Sequence, residues 1–403
     1  MAEMKDSGTA WLGMIPKDWE LSKISSIYEL RTQKVSDKDY PPLSVTMNGI
    51  VPQLDSAAKT NAHDDRKLVK KGDFAINSRS DRRGSCGVSE YDGSVSLINT
   101  VMKPRDEMNP DYYNWLFHTI QFADEFYKWG HGIVDDLWTT NWQDMKHIDI
   151  PVPTLDEQKV IADYLNKAIP EIDALHTDIE KQIETLEEYK KSIITEAVTK
   201  GLINININGT QVDFTNTTDE QWECKKLKLL VAMPIIDGPH ESPELCDTGI
   251  PYISATAIVD GKIDFNLMRG YISEEYCTEC EKRYKPQLND ILVVKLGAGT
   301  GQVAMVDDNR KFNIWVPLAA VRCNELVIPK FIYYGFQSDY VVTQMEQSWT
   351  YGTQETLGIK TIEKLKFFIP TLNTQRKIIQ YLDNKCVNID GAIEEKKEQL
   401  DTL

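Results

Sequence analysis

No run in this 403-residue chain approaches the roughly 18 consecutive apolar residues of a membrane-crossing helix, and Met1 to Gly8 carries no apolar signal-peptide core. A cytoplasmic protein without a membrane partner is expected. The seven cysteines, Cys86, Cys224, Cys246, Cys277, Cys280, Cys323 and Cys386, are scattered and odd in number, which argues for free thiols and against a disulfide framework. Cys277 and Cys280 have the spacing of half a zinc site, but no second such pair exists, and the six histidines form no spaced cluster. No Gly-Lys-Ser/Thr triplet occurs, so Gly297 to Gly301 reads as a turn between strands and not as a phosphate loop. Basic excess is missing too: 45 Lys and Arg stand against 62 Asp and Glu, a net charge of −17.

That acidity weighs against a nucleic-acid binder, which needs a basic face, but it is unevenly spread. Lys59 to Arg83 holds eight Lys/Arg against four acids, whereas Asp156 to Lys200 holds eleven acids against six bases. The acidic part is expected to turn toward solvent or another protein.

What the chain does have is a long heptad helix, used twice. Leu165, Ile172, Ile179, Leu186 and Ile193 stand seven apart, with Ile169, His176 and Ile183 in a second column. The same text returns 217 positions later: Pro153, Thr154, Leu155, Gln158, Ile161, Tyr164, Leu165 and Ile172 meet Pro370, Thr371, Leu372, Gln375, Ile378, Tyr381, Leu382 and Ile389. Leu382, Ile389, Ile393 and Leu400 continue the seam in the second copy. A chain this long exceeds one ordinary core, so the duplication implies two similar domains, each with its helix.

The repeat extends upstream. Lys70 to Asn77 parallels Gln287 to Val294, a turn leading into a short apolar strand. Polar glycine-bearing loops of different chemistry follow, Ser78 to Gly87 and Lys295 to Gln302, as two readers with different targets or drift after duplication would produce. Asn109 to Phe117 and Ile328 to Phe336 read as buried helices opened by proline, and Trp19 and Trp222 as equivalent core anchors. Catalytic patterns do not repeat. Asn109-Pro110-Asp111-Tyr112 lacks the second proline of the motif that grips an exocyclic amine, and Glu157-Gln158-Lys159 becomes Thr374-Gln375-Arg376. No nucleophile stands near a base, so a binder is expected.

The Trp-bearing N-terminal segment, the strand turns at Gly72 to Asn77 and Asn289 to Val294, the glycine loops and the twice-used Pro-Thr-Leu-x-x-Gln entry into a long helix closely resemble one family. It is the DNA-specificity subunit of type I restriction-modification systems, and the resemblance covers nearly the whole chain. It implies an α+β fold: an internal duplication of two globular target-recognition domains joined by two long antiparallel coiled-coil helices. Residues 1–153 would form the first domain, 154–201 the first spacer helix, 202–219 a linker, 220–370 the second domain, and 371–403 a second helix that is short or truncated. The resemblance further implies a non-catalytic subunit that reads a bipartite target on double-stranded DNA, one half per domain. Two methyltransferase subunits would dock on it, joined in some systems by two motor-nuclease subunits. S-adenosylmethionine, ATP and Mg would sit on those partners, with no cofactor or metal on this chain. The family's Glu-Gln at the helix start is met by Glu157-Gln158 but not by Thr374-Gln375.

Base reading needs donors and acceptors at a groove edge. The candidates are Lys59, Arg79, Ser80, Arg82 and Arg83 in the first domain, and Lys295, Thr300, Gln302, Thr353 and Gln354 in the second. The seam residues of both helices are the candidates for holding partners. Pro170 is expected to open a new helical segment whose run to Lys200, at about 1.5 Å per residue, spans about 45 Å, or about 13 base pairs. The alternative, favoured by the charge, is a coiled-coil scaffold or regulator of such a complex that never touches DNA.

Overall fold

The computed structural model describes residues 3–53, 63–105, 108–132, 138–201, 205–207, 210–212, 222–297, 299–348, 350–351 and 355–403. They fall into two compact units, Met1–Ala174 and Leu175–Leu403.

In the first unit, strand Phe74–Asn77 is apolar without alternation because both of its faces are covered. Phe74 and Ile76 belong to a core with Tyr113, Phe117, Phe122 and Phe126, which come from helices Pro110–Phe117 and Ile120–Lys128. Ala75 turns the other way, into a smaller core with Leu43, Ile50, Val69, Val95 and Val101. The strand lies inside an antiparallel sheet in the order Cys86–Val88, Phe74–Asn77, Asn99–Pro104, Tyr28–Leu30.

The second unit repeats this division 217 positions on. Ile291 and Val293 of strand Ile291–Val294 share a core with Phe331, Phe336 and Val341, from helices Pro329–Gln337 and Asp339–Glu346. Leu292 and Val294 share another with Ile253, Phe312 and Ile314. The sheet order is Ile236–Asp237, Leu318–Val321, Ile291–Val294, Val303–Met305.

The turn before each central strand has one left-handed residue, Gly72 at φ 87° and Asn289 at φ 72°, the two residue types that adopt this conformation most readily. The next residue is a buried aspartate. Asp73 Oδ1 takes a 2.7 Å hydrogen bond from Arg31, and Asp290 is held by Arg322 through 2.8 and 2.7 Å bonds. The carboxylate also accepts the turn's own amide, from Lys70 and from Gln287. Thus the same acid closes the turn and anchors an arginine in both units.

Trp19 and Trp222 are half-buried at the margins. Trp19 lies edge-on to Tyr112 with its indole N–H directed at Glu157, and Trp222 packs on the second core. Cys277 and Cys280 are both buried on helix Glu274–Glu281.

One helix runs from Leu155 to Lys200, 46 residues, with Pro170 inside it. The expected new segment at Pro170 does not form. A proline removes one helix hydrogen bond and displaces the carbonyl four residues back, here that of Asn166, an exposed residue, so water can satisfy that carbonyl. Helix Leu372–Asp401 is the second copy, 30 residues long. Within the second unit the two helices are antiparallel: Ile194, Ala197 and Val198 share a core with Ile378, Leu382 and Cys386. Earlier in the first helix, Ile183, Leu186 and Ile193 meet Ile389 and Ile393, with Lys190 Nζ 2.6 Å from Asp390 Oδ1.

Candidate nucleic-acid interface

The loop after the first central strand is fixed by its backbone. The Asn77 N–H donates to the Ser85 carbonyl at 2.8 Å, the Ser80 N–H to Trp138 at 3.1 Å, and the Tyr127 hydroxyl to Arg82 at 3.2 Å. Gly84, at φ 74°, makes the return turn. On this frame Arg79 lies 2.9 Å from Asp81, Arg82 lies 3.9 Å from the same carboxylate, and Arg83 pairs with Asp124 while its guanidinium covers the Tyr127 ring at 5.7 Å. The Arg82 and Arg83 side chains are mostly exposed and that of Arg79 half-exposed. Exposed ion pairs contribute about 0–1 kcal/mol, so exchanging these carboxylates for a phosphate or a base edge costs little. The structure therefore brings together Arg79, Ser80, Arg82 and Arg83. Lys59 lies outside the described residues.

The second loop is different. Lys295 follows a strand buried on both faces, and its ammonium turns inward to Asp237 at 2.7 Å, with only 13% of the side chain exposed. Arg283 at 2.6 Å and His240 at 3.3 Å reach the same carboxylate. Burial by itself would raise the pKa of Asp237, but the Lys295 hydrogen bond and charge, together with Arg283 and His240, bring it below the ordinary value. Thr300 is buried and its hydroxyl donates to the Gly297 carbonyl at 2.6 Å, closing the turn. Lys295 and Thr300 thus hold the loop's shape. Gln302 is exposed and borders a groove of about 1020 Å³. Thr353 and Gln354 lie outside the described residues.

Of the seam candidates, Ile179, Ile193, Ile389 and Ile393 are buried, Leu165, Leu186 and Leu400 half-buried, and Ile172 exposed. Leu382 serves the core of its own domain. Asn109, screened above as a catalytic residue, caps its helix by accepting the N–H groups of Asp111 and Tyr112. Among the described residues no group of three or more His, Cys, Asp or Glu side chains could hold a metal, and no helix is long and apolar enough to cross a membrane. Sequence reading missed the stacked pair of Arg269 and Trp315, because 46 positions separate residues that only the sheet brings side by side.

The family model described as type I restriction modification DNA specificity domain matches residues 16–185 and 220–401. The chain belongs to this family. A putative type I restriction enzyme MjaX specificity subunit of Methanocaldococcus jannaschii is 24% identical over 420 residues, covering 97% of this chain and 91% of that protein. The type I restriction enzyme EcoBI specificity subunit of Escherichia coli is 26% identical over 250 residues, which span 60% of this chain and only 52% of that subunit. Among solved structures, a chain described under complex assembly and conformational transition of the type I R-M system superposes with a TM-score of 0.70 at 14% identity, covering 96% of this chain and 95% of that one. The HsdS subunit from Thermoanaerobacter tengcongensis gives 0.54 at 16% identity, with coverage of 96% and 94%. At such identities these likenesses speak to the fold, an α+β duplication carrying two long helices.

Proposed function

We propose that this chain is the specificity subunit of a type I restriction-modification complex, reading a bipartite duplex target with one half per domain and positioning two methyltransferase subunits, without catalysing a step itself. The observation that carries the reading is the duplication. Two sheets buried on both faces with the same division of side chains, each closing its turn on a buried aspartate and each followed by a long helix, present loops of unlike chemistry on like frames. One frame with two loop sets suits two different half-sites.

In the first domain, exposed arginines supply forked donors for guanine or phosphate, and Gln302 supplies an amide in the second. The long helices fix the distance between the readers, so the bases between the half-sites go unread. Methyl transfer would draw on S-adenosylmethionine held by the methyltransferase subunits, and ATP and Mg would serve any motor-nuclease subunits. A gel shift of the chain with its methyltransferase partner, at rising salt, tests the reading. A specific complex that weakens steeply with salt supports it, whereas free duplex at every salt concentration would favour a scaffold that never touches DNA.

A further inference from the structure

The second unit holds a guanidinium stacked on an indole with its Nε unpartnered. Strand Ile250–Ile253 pairs on one side with Gly270–Ile272 and on the other with Asn313–Ile314. Arg269 precedes the first neighbour and Trp315 follows the second, both at the Ile253 end. The Arg269 N–H donates to the Tyr252 carbonyl at 3.0 Å and the Trp315 N–H to Ile253 at 2.9 Å. The two side chains meet there, the guanidinium carbon 3.4 Å from the indole centroid. The indole is held in turn by its N–H, which donates to the Glu241 carbonyl at 3.2 Å.

Arg269 differs from the arginines around it. Arg283, Arg310 and Arg322 each face a carboxylate. Arg376 faces none among the described residues, but it stacks on no ring. Arg269 has no side-chain hydrogen bond and no ion pair among the described residues; its Nε is buried without a partner, and its Nη groups reach solvent. A donor left so is unfavourable, and a chain of net charge −17 has carboxylates to spare for it. Stacking removes much of the rotamer freedom that binding would otherwise cost, and leaves the outer edge of the fork open.

We propose that Arg269, backed by Trp315, is a DNA contact of the second domain, taking a pair of acceptor oxygens or nitrogens on its Nη edge. The inference rests on the DNA-reading function above. Two sources offer such a pair, the O6 and N7 edge of guanine and two oxygens of a phosphate.

The test uses the chain assembled with its methyltransferase subunits, comparing wild type, Arg269→Ala and Arg269→Lys on the mapped target and on duplexes altered one base pair at a time in the second half-site. Thermal unfolding first establishes that the variants fold. Arg269→Ala is expected to bind between about five- and a hundredfold more weakly. If the acceptor is guanine, Arg269→Lys fails alike and discrimination vanishes at one base pair. If it is phosphate, Arg269→Lys retains most of the affinity, and Arg269→Ala loses it uniformly with a salt slope lower by about one. Binding by folded Arg269→Ala within twofold of wild type, with unchanged salt slope and base preference, overturns the proposal while leaving the DNA reading intact. A wild-type complex with no affinity for duplex overturns both.

Discussion

Gln158 and Gln375 make the same pair of backbone hydrogen bonds in the two units. Gln158 Oε1 accepts the Asn109 N–H at 2.9 Å while its Nε2 donates to the Pro153 carbonyl at 2.9 Å. Gln375 accepts the Ile328 N–H at 2.8 Å and donates to Pro370 at 2.9 Å. Each buried amide ties the first turn of a long helix to the residue that caps the proline-started aromatic helix of its own domain. This is the physical content of the repeated Thr-Leu-x-x-Gln text.

Replacing Gln375 with Leu roughly keeps the volume but strands the half-buried Ile328 N–H and the buried Pro370 carbonyl. Each costs about 1–3 kcal/mol, so the variant should lose about 2–6 kcal/mol in chemical unfolding of the full chain. A loss below 0.5 kcal/mol would mean that the clasp is incidental. Replacing Glu157 should matter less, since its bonds, the capping box with Thr154 and the Trp19 indole N–H, are exposed, and Thr374 occupies its place in the second helix with Thr371 as the cap.

Thiol chemistry follows burial. The Cys86 and Cys323 thiols are pushed up to about 12 by desolvation, and Cys277, Cys280 and Cys386 are raised by the same cause, whereas Cys224 and Cys246 are exposed. Labelling of the native chain at pH 8 should therefore modify Cys224 and Cys246 quickly and the other five only after unfolding. Rapid modification of Cys86, followed by peptide mass mapping, would contradict the packing around Phe117.

Asp237 gives the acid limb of stability. Its native pKa is depressed, so it adds stability that is fully present above the unfolded aspartate value of about 3.9 and disappears as pH falls through the lower native value. Unfolding midpoints taken from pH 6 downward should fall more steeply below about pH 4 for wild type than for Asp237→Asn. Parallel curves would show that the Lys295, Arg283 and His240 contacts contribute nothing to folding.

The Arg82 side chain is mostly exposed on a loop of the first unit. In the proposed function, Arg82→Ala should weaken recognition of one half-site about five- to a hundredfold and leave the other untouched. Equal loss on duplexes altered in either half would instead mark a general phosphate contact.

The duplication, both long helices and the turn-and-strand units were legible in the sequence because they rest on local, repeated signals: heptad spacing, Gly72 and Asn289 before Asp73 and Asp290, and proline at the helix starts. The continuity of the helix through Pro170 was not, since a proline's effect depends on whether its freed carbonyl meets water. The roles of loop residues were the hardest to read. Lys295 and Arg82 look alike as letters, yet one is turned inward by a buried carboxylate 58 positions away and the other is held outward by a loop that Tyr127 fastens. Partners that far apart leave no spacing to recognise, and the Arg269 and Trp315 pair was missed for the same reason.

The most direct measurement is the map of methylated bases in DNA from cells carrying this chain and its methyltransferase partner, repeated with four residues inserted after Glu184 in the long helix. The account predicts a split target with an unread spacer of fixed length, and a longer spacer with unchanged half-sites after the insertion. A continuous target, or a spacer that ignores the insertion, would contradict it.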